Sequence, residues 1–546
     1  MGSNSPSIES PQMPEVAFPM EDDDRYLHGR VGPSIGHDIF LPEPVEVKRP
    51  TGSLSKFHVP WQQKATLPPL TNQPYSSNEA MADQVLPHYP GASVAAKSHL
   101  SLLLALPSEL LNYIFNFLGP LDLASVSSTC RMLSGHAKLD LYWQRHVQEN
   151  TPGVQLSSPS PYTSYRELFI SHDPHWFLTK YKVWFCDYFL TGKIIICRYD
   201  PRRGCIEGYR LVAERSPPTF DPWEADDEVL IHSFKPQCRL HLDQPVLQID
   251  AIKHESPVGS SGESTAFHKF NAETPMRINE RSHHGVFSNF LLARPVEELP
   301  NMSLWPPPTI PAHSRVRNAS QEAFVGAGHK PQKRSQVSDQ AFRIRRWMQM
   351  TAGSNAPGIH LAEEVYTYAT LDPKVYTPTE DKPYRGIWVG DYSGHGCEFL
   401  LVHQPDDEEP FDEASVVRGE DETAEEWESR KKEERIYRGS LEAIKLTGDP
   451  NVPRGEYTFI ADDISKGGFI RTATEQRFKG ARIVRSTGHI ANPMFRNHTY
   501  IESQLIMISP NQLAQYWVGF GHISFFERVD IDQFLSPFSD PQPNLT

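Results

Sequence analysis

The sequence is poor in several things, and each shortage excludes a class. There are only six cysteines in 546 residues, at positions 130, 186, 197, 205, 238 and 397, and no two form a C-x-x-C pair. That is too sparse for a disulfide scaffold, and a structural zinc of the ribbon or finger type is not expected. No P-loop, H-E-x-x-H or G-x-S-x-G occurs, so the common signatures of nucleotide, metalloprotease and serine-hydrolase chemistry are missing. Apolar runs such as residues 102–106 fall far short of a membrane span. The N-terminal residues are polar and do not read as a signal peptide. Positive charge is in deficit: 53 Lys and Arg against 68 Asp and Glu give a net charge of −15. A dominant nucleic-acid or anionic-membrane surface needs a basic footprint and is not expected. An intracellular chain with reduced thiols, cytoplasmic or nuclear, is the expectation.

The acid is local. Between Asp406 and Glu428 stand 12 acidic residues and a single Arg418, so this segment supplies 11 of the 15 net negative charges. Proline, at 48 residues, is also uneven. Residues 1–97 are rich in Pro, Ser and Asp with no lasting period of 3.6 or 2, and read as a disordered arm. A basic stretch around Lys330, Lys333, Arg334, Arg343, Arg345 and Arg346 fits a solvated linker or a nuclear localisation signal.

Residues 98–150 are helical in pattern. Leu110, Leu111, Ile114 and Leu118 fall at i, i+1, i+4 and i+8, with Pro107 suited to the first turn and Gly119-Pro120 closing the helix. Short helices follow after Asp122, around residues 130–133, and at residues 139–147 with Leu141 and Trp143. A unit of fifty residues buries itself poorly and needs a partner or the rest of the chain.

From residue 165 to 536 the pattern is β. A first wave of short aromatic and β-branched runs ends near Ile252. A Ser/Gly/Pro/His-rich stretch follows, then AFRIRRWMQM, which reads as a helix or an amphipathic strand. A second wave begins at Tyr384. Ten or more short strands with turn signals point to an antiparallel barrel or sandwich. Inserts at about 253–335 and 404–434 are expected to lack structure, with helical propensity near the end of the second.

The helical unit spells L-P-x-E-L-L-x-x-I-x-x-x-L, then D-L-x-x-x-S-x-x-C-R-x-L, then L-Y-W, from Leu106 to Trp143. This closely resembles the F-box. The resemblance implies docking on a Skp-type adaptor of a cullin–RING ubiquitin ligase, with Leu106, Pro107, Leu110, Leu111 and Ile114 at or near the docking face. Downstream, FKPQCRLHL at 234–242, PYRGIWVGDYSGHGCEFLLV at 383–402, KLTGDPNVPRGEYTF at 445–459 and the strand at 517–529 resemble, in order, the substrate domain of F-box proteins that bind cyclin D and peptides ending in a C-terminal amide. The fold expected is therefore α+β and multidomain: a small helical F-box, then a large antiparallel β-barrel-like substrate domain.

Within these blocks the glycines of Gly390-Asp391-Tyr392-Ser393-Gly394-His395-Gly396 allow close backbone approach. In Thr447-Gly448-Asp449-Pro450 the proline stiffens a turn that aims Asp449. An ionised carboxylate accepts hydrogen bonds from an amide NH₂ and repels a free carboxylate. Asp449 is the expected substrate contact, with Tyr392, His395 and Gly394 as its neighbours. Plain turn closure by Asp before Pro is the competing reading. His395 near Cys397 invites a nucleophile reading, but a thiol in CEFLLV fits a core position. No catalytic residue, metal or organic cofactor is expected. A non-catalytic substrate receptor is the leading reading. An F-box scaffold working outside the ligase and a barrel that binds a small molecule remain as alternatives.

Overall fold

A computed structural model describes residues 102–250, 270–276, 286–295, 330–350, 359–407 and 409–540. The expected N-terminal arm lies outside the described residues.

Six helices open the described chain: α1 (Ser108–Phe115), α2 (Pro120–Ser127), α3 (Arg131–Ala137), α4 (Asp140–Glu149), α5 (Tyr165–His172) and α6 (Phe177–Tyr181). Pro107 is the N-cap of α1 and Pro120 the first residue of α2, where a missing N–H costs no helical bond. Helices α5 and α6 correct the expectation of β structure from residue 165. The start of α5 carries its own signal: Ser164 Oγ accepts from Glu167 N–H, and the Glu167 carboxylate accepts from Thr163 N–H.

The first sheet has nine strands: β1 (Val183–Cys186), β2 (Lys193–Asp200), β3 (Cys205–Arg215), β6 (Pro236–Leu240), β7 (Leu247–Asp250), β8 (Thr274–Met276), β9 (Val286–Leu292), β10 (Ala341–Met350) and β11 (Ile359–Ala369). They run in the order β6-β3-β2-β1-β11-β10-β9-β8, with β7 also on β3, and every pair is antiparallel. AFRIRRWMQM is thus a strand. Strands β8 and β9 lie inside the stretch 253–335 that was expected to lack structure. The apolar run of β9 is held by pairing with β10, which no local pattern announces.

Strands β1 and β2 are almost entirely buried, and the alternation explains why. Val183, Phe185, Ile194 and Ile196 share one core cluster with Ile387, Val389 and Phe399 of the second sheet. Trp184, Cys186, Ile195 and Cys197 share another with Leu111, Phe115, Trp143 and Phe169 of the helices. A strand covered on both faces reads as a continuous apolar run. The helical unit is therefore joined to the sheet through one core, and the sheet to the barrel through the other.

The second sheet holds β12 (Gly386–Asp391), β13 (Cys397–His403), β14 (Leu441–Lys445), β15 (Tyr457–Ala461), β16 (Phe469–Thr472), β17 (Arg482–Asn492), β18 (Arg496–Ser509), β19 (Gln512–Trp517) and β20 (His522–Arg528), joined by β4 (Phe220–Trp223) and β5 (Asp226–His232). Eight of these, β12-β13-β14-β15-β17-β18-β19-β20, close into a barrel because β12 also pairs with β20. The expected barrel is thus confined to the second wave. Strand β5 adds to the first half of β20 in parallel, β4 flanks β5, and β16 flanks β17.

The segment expected to be a structureless acidic insert at 404–434 is a correction. After a short helix α7 (Pro373–Tyr376) earlier in the chain, α8 spans Ala424–Ile436 across its end, opened by a full capping box between Thr423 and Glu426. Arg385 and Lys382 pair with Asp406 and Asp407, and Arg430 pairs with Glu422, so much of the acid is matched locally.

The last residues cross back to the first sheet. Arg198, buried in β2, donates to Phe534 O at 3.1 Å and to both Asp540 oxygens at 2.8 and 2.5 Å, while holding Glu207 at 2.9 Å.

Candidate functional site

Among the described residues, two places that depart from the usual partition of polar and apolar groups bear on function. The first is the outer face of the helical unit. Leu110 is 51% exposed, Tyr113 66% and Phe117 69%, with Ile114, Leu121 and Leu141 exposed beside them in the sequence pattern. Tyr113 and Phe117 meet edge to face at 5.1 Å. Pro107 is exposed and Leu106 half-buried. Leu111, expected at or near this face, is 0% exposed and lies in the core instead. One residue along a helix is about 100° round it, and this turn carries Leu111 into the core with Phe115 while Leu110 stays on the solvent side. The sequence reading missed Tyr113, Phe117, Leu121 and Leu141. Their signal was an excess of apolar residues beyond the single stripe that a core needs.

The second place is the barrel interior. On β13, Leu400 and Val402 point into a cluster with Trp388, Ala443, Phe459, Leu505 and Leu513. Residues two apart share a face, so Glu398 points inward as well. The other strands change character toward the same end: Val484 and its partner Leu505 give way to Ser486 and Ser503, and Leu513 and its partner Phe526 give way to Gln515 and Ser524. Ser486 and Ser503 hydroxyls lie 2.8 Å apart, Gln515 donates to Ser503 at 3.1 Å, and Trp517 donates to Ser524 at 3.0 Å. One end of the interior is apolar and the other polar.

At the polar end sits a buried charged group. Lys445 Nζ lies 2.6 Å from Asp449 Oδ2 and 2.8 Å from Glu398 Oε2, and 4.1 Å from the centre of the Tyr392 ring. The Tyr392 hydroxyl is 2.6 Å from Thr458 Oγ1. Asp449 closes its own turn, accepting from Asn451 N at 2.6 Å and Val452 N at 2.8 Å. Burial works against its charge, but Lys445 and these hydrogen bonds prevail and hold its carboxyl at about 2. Glu398 goes the other way. Desolvation and the neighbouring Asp449 charge outweigh Lys445 and raise it to about 8. Two carboxyls around one ammonium cannot both ionise cheaply, so Glu398 carries the proton at neutral pH. The Glu398 carboxyl is thus tied to both Lys445, at 2.8 Å, and the Asp449 carboxylate, with which it shares a hydrogen bond.

The turn itself needs glycine. A Cβ on Gly448 would lie 2.2 Å from the Arg454 backbone nitrogen. Arg454, 3% exposed, donates to the carbonyls of Asp187 and Phe189 in the β1–β2 turn. Gly448 N–H donates to Thr191 O, and Met494 N–H at the β17–β18 tip donates to Pro450 O. The Asp449 turn is thus the junction of three hairpin ends.

Of the expected site residues, Asp449 and Tyr392 are brought together on Lys445. His395 and Gly394 stand exposed at the tip of the β12–β13 loop. Gly396, not Gly394, takes the positive φ that this loop requires. Glu398 and Lys445 were missed, because a lone charge in an apolar strand usually marks the solvent face. Parity with Leu400 was the available signal. Among the described residues no group of three or more His, Cys, Asp or Glu is placed to hold a metal ion.

Comparison with known proteins falls on these two places. Residues 103–149 match the F-box-like family model, which takes in the exposed helical face. Residues 368–533 match the Cyclin D1 binding domain, which takes in all eight barrel strands and leaves most of the first sheet outside. The chain is also 27% identical over 158 residues to Protein EXECUTER 2, chloroplastic, from Oryza sativa subsp. japonica, a match covering 29% of this chain and 22% of that protein. The two domain matches and the two sites coincide, and the chain is an F-box protein whose barrel is a domain of the cyclin D1 binding type.

Proposed function

We propose that the protein is the substrate-recognition subunit of a Skp–cullin–F-box ubiquitin ligase. The observation that carries this reading is the apolar face of the F-box, with Leu110, Tyr113, Ile114 and Phe117 turned to solvent at once. A patch of this kind marks an interaction surface, and a Skp-type adaptor is the partner that the F-box match favours. The cullin–RING ligase joins through that adaptor.

The chain itself supplies no bond-making group in this reading. Its contribution is proximity: a bound substrate has its lysines held near the charged conjugating enzyme, which raises their effective concentration. The substrate is held by the barrel. A protein or peptide terminus, with a C-terminal amide as the leading candidate, fits the polar end of the interior, where Asp449, Tyr392 and Lys445 meet and a negative carboxylate disfavours a second one.

The test is co-purification of the full chain with a Skp-type adaptor and cullin, with and without Leu110→Asp and Tyr113→Asp together. Loss of both partners on substitution, with the melting temperature unchanged, is the expected result. Adaptor binding that survives the double substitution would move docking elsewhere. Adaptor binding without cullin would favour a scaffold outside the ligase.

A further inference from the structure

On the first sheet, the face that packs against the helices changes character along its length. Ile195 of β2, Ile206 of β3, Ile344 of β10 and Tyr368 of β11 lie in the core shared with the helices. Residues two or four apart on a strand share a face, so Lys193, Arg210, Arg346, Glu364 and Tyr366 continue it. Arg210 and Arg346 are exposed, as is Tyr188 in the turn after β1, while Lys193, Glu364 and Tyr366 are half-buried.

These six residues meet. The Lys193 ammonium lies 4.3 Å from the centre of the Tyr188 ring, and Tyr188 meets Tyr366 edge to face at 5.5 Å. Arg210, Arg346 and Glu364 are all near enough to act on the Lys193 charge. The Tyr366 hydroxyl donates to Glu364. Among the described residues, the Lys193, Arg210 and Arg346 side chains make no hydrogen bond or ion pair, although Arg346 stands directly across from Glu364 in the ladder. Burial lowers the Lys193 pKa, and the Arg210 and Arg346 charges push it the same way. Three cations thus face one carboxylate in a chain whose net charge is −15. A half-buried ammonium without a counter-ion costs free energy that an arriving anion recovers.

The sheet sets the width of the hollow. Strands β1 and β11 separate β2 from β10, which puts the backbones that carry Lys193 and Arg346 about 14 Å apart. Lys193 and Arg210 stand on one side and Arg346 on the other, with Tyr188 and Tyr366 as the floor between them. We propose that this hollow binds a phosphate monoester, with Lys193, Arg210 and Arg346 around its oxygens. The excess of two positive charges matches a dianion, the form a monoester takes above its second pKa of about 6, whereas a carboxylate would leave one charge unmatched. Guanidinium forks suit phosphate oxygens, and the two rings give the carbon that bears the ester an apolar floor. All six residues fall outside 103–149 and 368–533, so neither matched domain supplies this site, and it goes beyond the adaptor and terminus contacts proposed above.

The experiment follows binding to the full chain by phosphorus NMR at about pH 7.5. The probes are inorganic phosphate and N-acetyl-phosphoserine methylamide, with acetate at equal ionic strength as the control anion. Both probes should bind and compete with each other, and acetate should displace neither. Arg210→Gln combined with Arg346→Gln, both at exposed positions, should weaken each probe about tenfold or more, with the melting transition and adaptor co-purification unchanged. Glu364→Gln removes the one carboxylate and should tighten both probes about threefold, a gain that a damaged fold would not produce. A degenerate peptide library with a central phosphoserine separates the two sources of the ester. Binding about tenfold tighter than inorganic phosphate assigns the site to a phosphorylated protein segment. Equal or weaker binding assigns it to a free phosphorylated small molecule. Absence of binding by either probe, displacement by acetate, or parental affinity in the double variant would overturn the site and leave adaptor docking untouched.

Discussion

The F-box and the barrel break the ordinary partition of groups in opposite senses. The F-box turns Leu110, Tyr113 and Phe117 outward, while the barrel turns Glu398, Lys445 and Gln515 inward. The first is the signature of a surface completed by another protein, whose apolar area will cover the patch. The second, on the proposed function, suits an interior that recognises a substrate by hydrogen bonds. An apolar core tolerates many shapes, but a buried donor or acceptor is strict about what it meets. On the proposed function, the contrast separates where this chain would be held from what it would read.

The contrast breaks most severely if Lys445 is removed. Lys445→Ala leaves two carboxyls buried around an absent cation, and a loss of about 3–5 kcal/mol is expected by denaturant unfolding. A loss below about 1 kcal/mol would mean that the polar end is more hydrated than its burial indicates.

Neighbours on α1 give a sharper comparison. Leu111→Ala removes a fully buried side chain and should cost about 2–5 kcal/mol of stability. Leu110→Ala should leave stability within about 0.5 kcal/mol and weaken adaptor binding by about 1–2 kcal/mol, measured by calorimetry. Equal effects of the two on both quantities would abolish the distinction between core and docking face.

The two carboxyls at Lys445 predict opposite slopes of stability with pH. Glu398 is raised from 4.5 to about 8, so the folded state holds a proton that the unfolded chain releases. Its contribution is complete below about pH 4.5 and is lost as pH rises toward 8. Asp449 is lowered from 3.8 to about 2, so its contribution is present above about pH 4 and is lost as pH falls toward 2. Melting temperatures of the parent and Glu398→Gln across pH 5–8 should lie together at the acid end, where the Glu398 carboxyl is neutral like the amide, and part toward pH 8 as the parent falls. A parallel pair of curves would remove Glu398 from the account. The smallest effect is outside both regions: Thr423→Ala deletes the cap of α8 and should cost about 1 kcal/mol, seen as faster amide exchange over residues 424–430.

The sequence made the F-box legible because its signals are local: a Leu-Pro edge, apolar spacing along α1 and helix stops at Gly119-Pro120. The second wave of strands was legible for the same reason, through turn residues and β-branched runs. Pairing was not. Strand β11 carries the β-favouring run Val365-Tyr366-Thr367-Tyr368, but nothing local tells that it lies between β1 and β10. Strands β8 and β9 sit in a stretch dominated by Ser, Gly, Pro and His; β9 takes its form from β10, and β8 from β9. Helix α8 could have been read further, since Thr423 and Glu426 stand at capping-box spacing. At the site, Asp449 was legible as a turn carboxylate, but its partner was not. Lys445 and Glu398 lie 47 residues apart in sequence, and only the register of β13 and β14 brings them together.

Barrel closure has a consequence for how the chain is made. Strand β12 emerges from the ribosome first among the eight and must wait for β20, some 140 residues later, before its second edge is paired. Until then both ends of the growing sheet are raw strand edges, the kind that recruit foreign strands. Nascent chains stalled, or messages terminated, anywhere between residues 403 and 522 would therefore expose two sticky edges beside an already docked F-box core. Such fragments are expected to be clients of chaperones and of degradation rather than partial receptors.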